Sequence, residues 1–329
     1  MRLGRICSFL LLGLLFASCE KAETPIILPP KGTAEMSHVD MGDEYLDQFF
    51  FDFETGSVVL KSSVNSWDFA FEASPSGYHL LMNGNKNFFI YNTHLTDPAA
   101  VTESKAAAVA SMSWAFDAPS GLPDSSGVGE WKDASGNSRN EVYIIKFSDD
   151  TYKKFVVASV TDTSYEFKYG DISSTYLNTI HLHKDPNYNF TYFSFDNGGQ
   201  AVVPEPPKNS WDIVFTRYRH IYYDLDNKAY PVTGVLLNLF NTTAIADSIH
   251  AFESINYALV SGTPFSNHRD VIGFDWKKYN FTTGMYETDA RKCYVVKTRK
   301  QQYWKIHFID FYSSLGVKGS PTFEFEQIQ

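Results

Sequence analysis

Phe51-Asp52-Phe53-Glu54-Thr55-Gly56 leads through Val58-Val59 to Asn65-Ser66-Trp67-Asp68-Phe69-Ala70-Phe71. The same arrangement returns in the second half as Phe193-Ser194-Phe195-Asp196-Asn197-Gly198, then Val202-Val203, then Asn209-Ser210-Trp211-Asp212-Ile213-Val214-Phe215. Apolar and polar residues alternate and then stop at a glycine, the pattern of a half-buried strand entering a turn. Self-similarity at long period marks a duplicated unit. The halves also end alike. Tyr143, Tyr152 and Lys154 map onto Tyr294, Tyr303 and Lys305 at one offset of 151, and each half closes on an aromatic strand, Tyr165 to Tyr169 or Thr322 to Glu326. The expected organisation is two tandem β modules, 38–178 and 179–329, with the boundary near Asn178 to Asn187.

Between these anchors the chain keeps the two-residue period, as in Glu141-Val142-Tyr143-Ile144-Ile145-Lys146-Phe147, broken by Gly, Pro, Asn and Ser. Helices are expected only at the Ala-rich run Pro98 to Ala110 and at Ala244 to Ser254, so the class is mainly β, with few short helices. A Ser- and Gly-rich insertion spans 106–139 and has no counterpart in the second half. In Asn-Ser-Trp-Asp, a large ring beside a short carboxylate suits a buried tryptophan whose aspartate accepts backbone amides. A catalytic Asp68 or Asp212 would need a partner base, and none recurs with it.

The 329 residues include 27 Phe, 20 Tyr and 6 Trp, while charged residues make up only 20%. A chain this aromatic has ample material for a core, which excludes disordered, collagenous and coiled-coil classes. A formal charge of −10 and the lack of any Lys/Arg cluster leave no electrostatic attraction for a phosphate backbone, so nucleic acid is not an expected partner.

Arg2 and Arg5 precede an apolar run from Phe9 to Phe16 and the small pair Ala17-Ser18, the layout of a signal peptide over 1–18. Leu15-Phe16-Ala17-Ser18-Cys19 resembles a bacterial lipobox, which makes Cys19 the expected lipidation site. Cleavage there removes two positive charges and takes the formal charge from −10 to −12. No second apolar stretch of membrane-spanning length follows, so the membrane is met only through the lipid. Residues 19–37, with Pro25, Pro29 and Pro30, read as an extended tether. The acidic residues beside Cys19 resemble a surface-export signal, and the expected location is the outer membrane, facing outward. Cys293 is then the one side-chain thiol left, and Lys292-Cys293-Tyr294-Val295-Val296 reads as a strand that buries it.

The second half carries a specific resemblance. Tyr192-Phe193-Ser194-Phe195, Trp211-Asp212-Ile213-Val214-Phe215-Thr216-Arg217-Tyr218, Tyr303-Trp304-Lys305-Ile306-His307-Phe308 and Lys318-Gly319-Ser320-Pro321-Thr322-Phe323-Glu324-Phe325 resemble the opening and closing strands of the HmuY family of Bacteroidetes haem-binding lipoproteins. The first half resembles that family more loosely. The resemblance implies an all-β hand-like fold, haem as the ligand, and a haemophore role in which haem passes to a TonB-dependent outer-membrane receptor. It also implies two axial His or Met ligands on loops flanking a Trp-containing strand, here matched by Gly273-Phe274-Asp275-Trp276. Beyond that strand Asn280 and Phe281 are not ligands and Met285 is the nearest substitute; upstream stand His250 and, as the alternative, His268. Iron accepts imidazole nitrogen or thioether sulfur, so a His/Met pair is chemically sound.

Other patterns carry less. His181-Leu182-His183 would put two imidazoles on one strand face, yet no Cys or paired carboxylate completes a metal set. There is no Gly-x-Ser-x-Gly elbow, His-Glu-x-x-His helix or phosphate loop, so a non-catalytic protein is expected. The competing reading is a surface module whose Tyr and Trp faces bind a glycan or another envelope protein without haem.

Overall fold

The computed structural model describes Thr33–Ile328, which form one compact unit. The expected signal peptide, Cys19 and the tether up to residue 32 lie outside the described residues. The chain is mainly β. Strands β1 (Glu35–His38), β2 (Asp47–Asp52), β3 (Ser57–Ser63), β4 (Phe69–Glu72), β5 (Leu80–Met82) and β6 (Phe89–Asn92) come first. After a long loop follow β7 (Tyr143–Lys146), β8 (Tyr152–Val160), β9 (Ser164–Asp171) and β10 (Asn178–His183). The second half supplies β11 (Phe190–Ser194), β12 (Gln200–Val202), β13 (Ile213–Tyr222), β14 (Lys228–Leu237) and β15 (Thr243–Asp247). It ends with β16 (Lys277–Asn280), β17 (Met285–Thr288), β18 (Cys293–Lys297), β19 (Tyr303–Tyr312) and β20 (Lys318–Ile328).

Alternation builds the cores. Phe51 and Phe53, and likewise Ile213 and Phe215, turn the same way every second residue and meet Val296, Ile306, Phe308 and Phe323 in one core. That core lies between a five-stranded sheet, β1-β20-β19-β18-β15, and a four-stranded sheet, β14-β13-β2-β3. A second core joins Phe69, Phe71, Phe193 and Phe195 to Tyr143, Phe155, Tyr165 and Phe167, between β10-β9-β8-β7-β6 and β12-β11-β4-β5.

The two four-stranded sheets exchange hairpins between the halves of the sequence. The β2-β3 hairpin pairs with β13, Phe51 opposite Ile213, and β11-β12 pairs with β4, Phe193 opposite Phe69. Each aspartate of the repeated motif does accept a backbone amide, but from the other half: Asp212 Oδ2 from Phe53 at 3.0 Å, Asp68 Oδ2 from Phe195 at 2.7 Å. Asn83 and Asn238 donate to the carbonyls of Trp67 and Trp211, both at 2.8 Å. Trp67 stands edge-on to Tyr192 and Trp211 edge-on to Phe50. Trp211 is buried, whereas Trp67 is only half-buried. Strand pairing therefore crosses the linear division at 178/179.

Three local expectations change. Ala244 to Ser254 is not a helix: Thr243–Asp247 is β15, laid antiparallel on β18 with Ala244 fully buried, and sheet pairing outweighs the helical preference of alanine. Only a 3₁₀ turn, Phe252–Ser254, and α2, Tyr257–Val260, follow. Pro98 to Ala110 holds a 3₁₀ turn and the short helix α1, Glu103–Ala107, capped by Asp97 and Thr102. Gly273 to Trp276 makes a single bridge, Gly273 to Val235, and then turns. Trp276 is buried and stacks on Phe308 at 3.9 Å.

The 106–139 insertion is a structured part of the first core. Trp131 is buried there and donates to the Tyr78 carbonyl at 2.9 Å. Asp117, buried, accepts the amides of Met82 and Gly127 at 2.6 and 2.7 Å. Its backbone at Ser120 accepts the Arg269 amide at 2.9 Å, which ties the insertion to the loop carrying His268.

Candidate functional site

Of the expected ligands, His250 has the most defined surroundings. β15 ends at Asp247, whose Oδ1 accepts the amides of Ile249 and His250 at 2.8 and 2.9 Å. Asp247 Oδ2 stands 2.8 Å from His250 Nδ1. Burial opposes ionisation of Asp247, but the hydrogen bonds from His250 and Ile249 hold its carboxyl below the usual range. An ionised carboxylate only accepts, so Nδ1 carries a proton, and in the neutral ring this tautomer leaves the Nε2 lone pair for a ligand. A carboxylate on the far nitrogen is the partner that fixes tautomer and ring orientation in metal-ligating histidines.

His250 lines an open cleft of about 460 Å³ together with Ala244, Ala246, Leu259, Val260, Pro264 and Val271. That volume lies within the range of small-molecule sites, and the wall is largely aliphatic. α2, capped by Asn256, brings Leu259 and Val260 to it. Ser266 pairs with Ala244 across the cleft floor, and its Oγ accepts the His268 amide at 3.1 Å. His268 is thus on the rim loop, with its side chain exposed.

Met285 stands elsewhere, half-exposed on the β16-β17 hairpin opposite Asn280, and does not line the cleft. From it β17 runs back through the Asp289–Lys292 turn to Cys293, which pairs with Asp247. The hairpin is surrounded by aromatics: Tyr279 packs on Phe281 and Tyr286, and the Tyr286 amide donates to Tyr312 Oη at 2.6 Å.

Two groups near this hairpin escaped the sequence reading. Lys277 is buried, donates to the Thr233 carbonyl, and places its amine 4.3 Å from the Trp276 ring and 4.7 Å from Phe311. Burial pushes the amine down to about 7, against the pull of Asp275. His220 sits 4.8 Å from both Tyr222 and Phe274, and burial lowers its pKa. Lys277 is followed by the exposed Lys278, so nothing in the local pattern distinguishes them. For His220 the alternation along β13 was the available signal.

Cys293 is fully buried on β18 and its thiol is pushed up to about 11 by burial, as a small core residue. His181 and His183 are both exposed while Leu182 is buried, and no cluster of three or more metal-ligating residues occurs among the described residues.

Comparison with known proteins adds the following. The family model described as HmuY protein matches residues 187–325. No curated sequence matches the chain. Among solved structures, apo PinO from Porphyromonas gingivitis aligns at 9% identity over 91% of this chain and 99% of its own, with a TM-score of 0.26. The apo HmuY analog TFO from Tannerella forsythia aligns at 10% identity over 90% and 96%, also with a TM-score of 0.26. Residues 187–325, under half of the chain, are thus similar to the HmuY protein family.

Proposed function

We propose that the protein is a lipid-anchored haem-binding protein of the outer-membrane surface, a haemophore that passes haem to a TonB-dependent receptor and performs no catalysis itself. The observation that carries this reading is the His250–Asp247 pair on an aliphatic cleft within the HmuY-like segment. The residues fit the group: the aliphatic wall suits a porphyrin face, and imidazole Nε2 suits the iron. His250 would hold the iron, and His268 on the neighbouring rim loop would be the nearer candidate for a second ligand, with Met285 on the separate hairpin as the alternative. Haem would bring the iron coordination; the chain supplies orientation and exclusion of water. Lipid at Cys19 would keep the protein on the membrane, so Cys19→Ala moves it to the soluble fraction.

Titration of haemin into the purified protein tests the reading. The expected result is a saturable, red-shifted Soret band whose spin state changes in His250→Ala, with His268→Ala and Met285→Ala identifying the second ligand. Absence of a saturable Soret change overturns haem binding. A second reading is favoured by the exposed tyrosines Tyr223, Tyr230 and Tyr279, which offer flat apolar faces with polar tips to a glycan or an envelope partner. It takes over if haemin does not bind.

A further inference from the structure

The sequence holds Asn-Gly twice, at Asn83-Gly84 and Asn197-Gly198. An asparagine side-chain amide is an electrophile, and the main-chain nitrogen of the next residue is the nucleophile that covalent connection keeps within its reach. Glycine in that next place leaves the nitrogen unshielded and the peptide free to turn. The fold treats the two pairs in opposite ways.

Asn83 is held fast. It is buried, its Nδ2 donates to the carbonyls of Val64 and Trp67, both at 2.8 Å, and its Oδ1 accepts the Asn85 amide at 3.0 Å. A Cβ on Gly84 would stand 3.1 Å from the Arg219 backbone nitrogen, so the peptide between them has no room to swing. Asn197 is exposed in the turn between β11 and β12, and its side chain makes no hydrogen bond among the described residues. Its ψ of 32° turns the Gly198 nitrogen away from the side chain, so ring closure requires that one peptide to rotate. The space is there, because a Cβ on Gly198 would meet nothing within 4 Å.

We propose that Asn197 is a site of spontaneous deamidation, and that the isoaspartate produced there releases the β11-β12 hairpin from Tyr169. The Gly198 nitrogen gives its proton to solvent and bonds to Asn197 Cγ, and the Cγ–Nδ2 bond breaks as ammonia leaves with a proton. Water then opens the resulting five-membered imide. Attack at the former side-chain carbonyl gives aspartate; attack at the former main-chain carbonyl gives isoaspartate, whose main chain is one carbon longer. The neighbouring turn cannot absorb that carbon. The Gly198 carbonyl accepts the buried Tyr169 hydroxyl at 2.5 Å, and Gly199 lies so close to Tyr169 and Phe193 that any Cβ would clash. Lengthening the chain between Asp196 and Gly198 pulls that carbonyl from Tyr169 and leaves a buried hydroxyl without its acceptor. The new carboxylate also lies next to Asp196, whose partner Lys86, 3.2 Å away, already holds Asp68.

The test is incubation of the purified protein in mildly alkaline buffer, folded and in urea, followed by peptide mapping in a mass spectrometer and labelling with an isoaspartyl-specific methyltransferase. In the folded chain the Asn197 peptide should gain the mass of an amide-to-acid exchange and take the label, while the Asn83 peptide stays unchanged. In urea both should convert. Asn197→Gly tolerates the positive φ, has no amide to lose, and should keep its melting temperature through the incubation. Asn197→Asp carries the charge without the extra carbon and should melt close to the fresh wild type, whereas the isoaspartyl fraction should melt lower. An Asn197 that survives in the folded chain after the unfolded chain has converted overturns the proposal, as does equal conversion of Asn83 and Asn197 in the folded chain. An isoaspartyl fraction that melts with the fresh protein overturns the release of the hairpin.

Discussion

The Phe53 amide donates to the Asp212 carboxylate at 3.0 Å across 159 residues of sequence. Asp68 receives the Phe195 amide in return. The aspartate that follows each tryptophan therefore fastens the opening hairpin of the opposite half, and Asp212 and Asp68 also donate their own amides to Phe51 and Phe193. Asp68 is further paired with Lys86 at 2.9 Å and is 1% exposed. An exchange of this kind makes each core depend on strands from both halves, as in a domain swap closed within one chain.

Separation of the halves should therefore abolish folding. Fragments 33–178 and 179–329, expressed alone, are each expected to lack cooperative unfolding, because each core is missing a hairpin. Mixed together, they should assemble one to one and regain the native circular dichroism. Independent cooperative melting of either fragment would contradict the exchange.

The lysines at the 151 offset have matching structural work. Lys154 Nζ donates to the carbonyls of Pro98 and Ser174 at 2.8 and 2.7 Å, and Lys305 Nζ to Phe252 and Ile255 at 2.9 and 3.3 Å. Both side chains are buried, and each ties a connecting loop to its sheet. Lys154→Met and Lys305→Met leave two carbonyls unpaired, and each should cost about 2–4 kcal/mol in urea denaturation. Lys305→Met should cost the more, since Glu326, 2.8 Å from the amine, also loses its partner.

These lysines show what the sequence could and could not convey. Their equivalence was legible from Tyr-x-Lys spacing, and strands such as β8 and β19 were legible from alternation, because both are local properties of the chain. Strand partners were not legible. Phe51 turns the same face to the core whether Ile213 or Phe69 lies beside it, so alternation is blind to the exchange. At the cleft, Asp247-Ser248-Ile249-His250 did contain the signal for a pinned imidazole, an aspartate accepting the amides two and three residues on. The expected helix over that stretch obscured it. Lys277 was invisible because its burial depends on Phe311 and Thr233, both far away in sequence.

Buried charges should shape the pH profile of stability. Lys277 is lowered from 10.5 to about 7 by burial. Below about pH 7 it is charged in both states and its burial penalty is fully present. From 7 towards 10.5 the unfolded chain holds a proton that the folded one lacks, so stability rises with pH. Glu205, raised from 4.5 to about 7 by burial, acts oppositely: stability falls as pH climbs from 4.5 to 7. Asp117 and Asp212, each raised to about 6 by burial, add to that limb. Urea midpoints measured from pH 5 to 10 should show Lys277→Met flattening the alkaline limb and Glu205→Gln shallowing the acid one. Unchanged slopes in both variants would contradict these assignments.

The last prediction separates the imidazole from its anchor. Asp247→Asn preserves size and can still accept the Ile249 and His250 amides, so the turn after β15 should persist. It removes the carboxylate charge that holds the proton on His250 Nδ1 and leaves Nε2 free. Loss of such an outer partner typically weakens a metal site 10- to 100-fold. Haemin affinity of Asp247→Asn should fall by about that factor, with a melting temperature close to that of the wild type, whereas His250→Ala should also change the spin state. If His250→Ala disrupts haem binding while Asp247→Asn binds haemin as tightly as the wild type, the imidazole ligates without needing its carboxylate. If neither substitution has an effect, the iron is held elsewhere, and the aromatic hairpin bearing Met285 becomes the site to test.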